Sequence, residues 1–135
     1  MRMKMKNNGS VFLMVVFAIA LMATITMGIM VMTTEELQLM QNQLFAAEAM
    51  ATAEAGLNDA FKEIRAASSW TTGFTNKAFN SDTYTVTVTG TLPTRTITSR
   101  ATSSKGYIAR VAADVTIGGS TPNYVIRIDK LRINE

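Results

Sequence analysis

The chain contains no cysteine and no histidine among its 135 residues. Without cysteine there is no disulfide framework and no thiolate metal site, and cysteine usage says nothing about redox compartment. Without histidine the commonest general base and the commonest metal ligand are both missing. A catalyst built from what remains would need paired carboxylates, a lysine nucleophile or an oxygen-ligand metal site. Glu35 and Glu36 are neighbours that point to different sides of a helix. Glu48 and Glu54 fall about 240° apart around a helix axis and do not converge. Asp114 and Asp129 each have arginines nearby and read as a solvated face. There is no spaced-aspartate calcium loop and no glycine-rich phosphate loop, and Gly118-Gly119 sits in an expected hairpin instead of opening a helix. These absences predict no enzyme activity, no cofactor and no metal.

Charge of one sign is also scarce once its position is considered. The formal net charge is +3, with 13 basic residues against 10 acidic ones. Arg2, Lys4 and Lys6 supply the whole excess, so the basicity belongs to a short leader, residues 1–9. Acids dominate from Thr33 to Ala67, and bases dominate from Ser68 onward. Arg95, Arg100, Lys105 and Arg110 could line up as a basic strip, but they are spread over three segments. Ordinary solubilising charge is the expectation, and nucleic acid is not expected among the partners.

What the chain does have is a long apolar run. Val11 to Met32 carries no charged residue, no amide and no proline. A helix of about 22 residues spans about 33 Å, the thickness of a bilayer core. So small a chain cannot surround such a helix with apolar protein. The run therefore predicts a single membrane span. Thr24 and Thr26 are its mild polar interruptions, and their hydroxyls can bond to the preceding turn. The positive residues before the span, with Glu35 and Glu36 after it, predict a cytoplasmic N-terminus and an extracytoplasmic remainder. Three kinds of segment share this layout. One is a cleaved secretory signal, for which Ala18-Ile19-Ala20 would be the small-x-small site. The others are a plain signal anchor and a leader cut after a glycine on the cytoplasmic face.

The third kind is carried by particular residues. KNNG followed by SVFLMVVFAIALMATITMGIMVM resembles the leader junction of type IV pilins and type II secretion pseudopilins. LFAAEAMATAEAGLNDAFKEIR, Leu44 to Arg65, resembles the helix that follows the membrane segment in PilX-like minor pilins. The resemblance covers about the first half of the chain. It implies cleavage between Gly9 and Ser10 by a prepilin peptidase and methylation of the new amine of Ser10. It also implies partnership with other pilin-like subunits and an inner-membrane assembly platform, with the span first held in membrane lipid. The implied location is the bacterial inner membrane and then a surface or periplasmic filament. One position departs from the family. The fifth residue of the mature chain is usually a glutamate, thought to meet a neighbour's terminal amine, and here it is Met14. Tip-located pseudopilins lack that glutamate, so the departure implies a minor, initiating or tip role. The alternative reading is a single-pass anchored extracytoplasmic binding protein that does not polymerise.

The helical pattern continues past the span. Thr33 to Arg65 has no proline and is rich in Ala, Glu, Gln, Leu and Met. We expect one continuous helix from about Ser10 to Ala67, with a membrane part at 10–32 and an extracytoplasmic part at 33–67. Gly28, close to Thr24, Ile25 and Thr26, makes a weak patch in it. Leu37, Met40, Leu44, Ala47 and Ala51 share one stripe, and Met50, Leu57, Phe61 and Ile64 begin a second. Alanines recur from Ala46 to Ala55, and small side chains let helices approach closely, although alanine is also the best helix former. Leu44, Ala46, Ala47, Ala51 and Phe61 are the candidate helix-packing residues.

Residues 68–81 read as a connecting loop whose aromatics, Trp70, Phe74 and Phe79, plug the junction. From Asp82 the period changes to two, with Tyr84, Val86 and Val88 alternating with threonines. Turn signals at 90–93, 103–106 and 118–123 divide residues 82–135 into four strands. In the last of them the apolar phase slips after Ile128, which predicts a bulge or strand end near Asp129. The expected fold is α+β and pilin-like, one long N-terminal helix packed on a four-stranded antiparallel meander.

Overall fold

A computed structural model describes residues 8–121 and 123–134. The basic leader up to residue 7 and Pro122 of the last expected loop lie outside the described residues. The element order is α1 (Asn8–Ala66), β1 (Phe74–Phe79), β2 (Asp82–Thr89), β3 (Thr94–Thr102), β4 (Ile108–Ser120) and β5 (Asn123–Ile133). The fold is α+β, a long apolar N-terminal helix and an antiparallel sheet. The chain divides into two units, Met1–Gln41 and Asn42–Glu135.

In the first unit every described residue from Gly9 onward is exposed and helical. The helix is long and apolar enough to cross a membrane. Its threonines satisfy themselves. Thr24 Oγ1 donates to the Leu21 carbonyl at 2.8 Å and Thr26 Oγ1 to the Met22 carbonyl at 2.8 Å. Such back-bonding hides a hydroxyl within the helix, which suits an apolar surrounding. Gly28 lies inside the helix and causes no break.

The second unit is the head. Its helical part buries Ala49, Thr52, Ala53, Gly56, Leu57, Ala60 and Ile64. The spacing of three and four places them on one stripe. The sheet has five strands in the order β1-β2-β3-β4-β5. The expectation of four was short by one. Phe74–Phe79 is a strand inside the segment expected to be a loop. Asn76 at φ 46° and a register shift between Phe74 and Lys77 break its alternation, so no period of two is visible in FTNKAF. The strand is also almost wholly exposed, and exposure removes the apolar pattern that marks a strand.

The three central strands alternate cleanly. Tyr84 and Val86 of β2, Ile97, Ser99 and Ala101 of β3, and alternate residues from Ala109 to Ile117 of β4 face the helix and are buried. Threonines dominate the other face of β2 and β3, where Thr87 pairs with Thr98 and Thr89 with Thr96. A β-branched polar residue is what a half-wet pleated surface favours. The phase slip in β5 is a bulge. Val115 pairs with Ile128 and Asp114 with Lys130, which leaves Asp129 as the extra residue. Ile126, Ile128, Leu131 and Ile133 therefore pair with Ile117, Val115, Ala113 and Val111, all on the helix side.

Candidate functional site

Gly9 and Ser10 lie in the first turns of α1, both exposed. A Cβ at Gly9 would meet nothing within 4 Å. Among the described residues, packing does not require a glycine there. Met14 is 73% exposed. Large apolar side chains from Val11 to Met40 are all exposed on this helix, which leaves no face turned inward.

Within the head the alanine series divides by side. Ala49, Ala53 and Ala60 are fully buried against the sheet. Ala46, Ala47, Ala51 and Leu44 are exposed. Leu44, Ala47 and Ala51 follow the three- and four-residue spacing of a stripe turned away from the one under the sheet. Phe61 is half-buried and packs on the head's own core, so it is held by this chain. The sequence pattern did not separate the two sets of alanines, because alanine carries no signal of which side is covered.

Gly56 is where helix and sheet come closest. A Cβ there would fall on the Ser99 hydroxyl and 2.7 Å from Tyr84 Cδ2. Ser99 is fully buried, and its Oγ has no hydrogen-bond partner among the described residues. Beside it, a polar cluster pins β1 to the helix. Lys77 Nζ donates to Asp59 Oδ2 at 2.6 Å, and the Tyr84 hydroxyl donates to the same oxygen. These two bonds, the lysine's first, hold the Asp59 carboxyl below its ordinary value. The same carboxylate raises Lys77, and burial above all raises Tyr84. The Lys77 ammonium also sits 4.4 Å from the Phe74 ring centre. Trp70 and Phe74 meet at a tilt with ring centres 5.2 Å apart, and Phe74 meets Tyr84 edge-on. Two of the three expected junction aromatics thus plug it, while Phe79 is 40% exposed.

The suggested basic strip does not form as drawn. Arg95 is buried on the helix side of β3, and its Nη1 donates to the Trp70 carbonyl at 2.6 Å. That carbonyl lies just past the end of α1, where unpaired helix carbonyls favour a cation. Arg100, Lys105 and Arg110 are exposed. Asp114 and Asp129 do sit on neighbouring strands. Asp114 accepts from Thr96 at 2.7 Å and Arg132 at 2.8 Å, and Asp129 accepts from Arg127 at 2.7 Å and from Thr116. The cavity above them holds about 370 Å³ and is ringed by these mutually paired groups. A smaller cavity, about 150 Å³, lies over Asp82. Asp82 is a buried carboxylate bonded by Thr52, Ser81 and the Ser104 amide. Among the described residues no three metal-ligating side chains converge.

Comparison with family models, curated proteins and solved structures finds no match to this chain.

Proposed function

We propose that the chain is a minor pilin or pseudopilin, a structural subunit of an extracytoplasmic filament of the type IV pilus or type II secretion kind. The observation that carries this reading is the uncovered apolar stretch of the helix, exposed on every side from Gly9 to Met32. A helix apolar all round needs lipid or other helices around it. The glycine junction ahead of it supports removal of the leader, and the outward stripe at Leu44, Ala47 and Ala51 supports close helix packing after release. In this reading prepilin peptidase cuts between Gly9 and Ser10, the amine of Ser10 is methylated, and the span passes from lipid into a bundle with pilin-like neighbours on an assembly platform. Met14 offers no carboxylate to a neighbour's amine, which favours an initiating or tip position. A buried carboxylate is costly unless paired, and a tip subunit would have no partner for it. The same methionine is the observation that favours the second reading, a single-pass anchored extracytoplasmic binding protein that does not polymerise.

Co-expression with a prepilin peptidase tests the proposal. The native chain should lose its leader, and Gly9→Leu should keep it while the head stays folded. Processing of neither chain would point to the second reading, and equal processing of both would remove Gly9 from the cleavage signal.

A further inference from the structure

The sheet face turned away from the helix is unevenly charged. Strand register places Arg100, Arg110, Arg127, Lys130 and Arg132 on it. The carboxylates described there are Asp114 and Asp129, and they hold Arg132 at 2.8 Å and Arg127 at 2.7 Å. The balance is therefore positive. It is densest where Arg100 of β3 lies directly opposite Arg110 of β4. Like charges in that position repel, and two guanidinium groups side by side favour a carboxylate laid across them. Arg100 takes part in no ion pair among the described residues. Beside the two arginines, on the same face, Ile108 is 56% exposed.

The helix has the opposite balance. No lysine or arginine lies between Lys6 and Lys62, whereas Glu35, Glu36, Glu48 and Glu54 do. All four glutamates are exposed. Glu48 and Glu54 stand beside walls of their own head. Glu35 and Glu36 lie on the stem, the exposed helical stretch between the apolar run and the head. One turn further on, Leu39 falls between them around the axis and is 61% exposed.

We infer that the outer sheet face of one copy docks on the acidic stem of a second copy, with Arg100 and Arg110 meeting Glu35 and Glu36. Each patch carries two like charges around one large apolar side chain, Ile108 on the sheet and Leu39 on the stem. The apolar pair supplies a dry centre and the charges supply the rim. The opposite signs set register and exclude a like patch as partner. Because the two patches differ, the contact is heterologous, and it repeats from copy to copy without closing, as a filament requires. It rests on the filament reading, since the stem pair directly follows the span and a second copy must leave lipid before a head can stand beside it.

Single cysteines read this contact in a chain that has none of its own. Full-length Thr98→Cys and Gln38→Cys chains are expressed together in cells that assemble such filaments, and a short bis-maleimide is applied. A mixed dimer should form. Leu131→Cys, on the helix side of the sheet, should give at least fivefold less when it replaces Thr98→Cys. Arg100→Glu in the first chain should cut the mixed dimer at least fivefold, and so should Glu35→Lys with Glu36→Lys in the second. The two reversed chains together should recover it. The inference fails if no mixed dimer forms in protease-resistant chain, if Leu131→Cys cross-links as fully, or if the paired reversal restores nothing. The mass of the same sample reads the leader separately. Loss of the dimer in a chain cut to Ser10 overturns this contact alone. A chain that keeps its leader overturns the filament reading and the contact with it.

Discussion

Gly56 shows how one missing methyl group sets the distance between two elements. Its Cα faces Ser99 and Tyr84 so closely that any side chain must push the sheet away. Gly56→Ala should therefore lower stability by about 1–3 kcal/mol, the usual cost of overpacking, despite alanine's better helix propensity. Ser99→Ala alone should be neutral or mildly stabilising, because its hydroxyl is buried without a partner. Combined with Gly56→Ala it should recover part of the loss, and urea denaturation of the four chains reads the coupling. Asp59 gives a second test. Its folded pKa lies below the ordinary 3.8, so its contribution is complete well above 3.8 and disappears as pH falls through the folded value. Lys77 and Asp59 are 46% and 40% exposed, so solvent screening keeps that contribution below about 1 kcal/mol. The stability difference between the native chain and Asp59→Asn should shrink steadily between pH 6 and about 2.5. A constant difference would remove the ion pair from the account. Neither Gly56 nor this cluster was legible beforehand, since both depend on pairings between distant segments.

The elements were legible in proportion to how much apolar surface they bury on one side. β2, β3 and β4 alternate because one face lies under the helix, and the pattern fell within a few residues of their true ends. The bulge near Asp129 could be read from parity alone, because both halves of β5 keep apolar residues on the helix side. β1 could not, because an exposed edge strand with a left-handed asparagine carries no period. It is held instead by its pairing with β2, by the Lys77–Asp59 pair and by its entry turn. Gly73 enters the strand at φ 69°, and a Cβ there would run into the Val86 carbonyl. Gly73→Ala should displace β1 and cost about 2 kcal/mol or more, with faster amide exchange in β1 than in β3. If exchange rises equally across the whole sheet, β1 is no separate unit of stability.

For the chain as a whole, the long helix separates two tasks. One side of its head portion holds the sheet through Ala49, Ala53 and Ala60, and the other side leaves Leu44, Ala47 and Ala51 free. Ala51→Lys should change head stability by less than about 0.5 kcal/mol, as exposed substitutions do. The same change should reduce incorporation into a filament severely, because a lysine blocks close helix approach. Normal incorporation would mean that this stripe is not a packing surface. A helix long and apolar enough to cross a membrane was legible from its length and its freedom from charge, whereas the leader's fate rests on a junction whose chemistry happens outside this chain. The intact mass of the native protein, extracted from the membrane of cells that contain a prepilin peptidase, addresses that directly. A chain beginning at Ser10 with a methylated amine is the expected result. A chain that keeps Arg2, Lys4 and Lys6 would contradict the filament account and leave an anchored head.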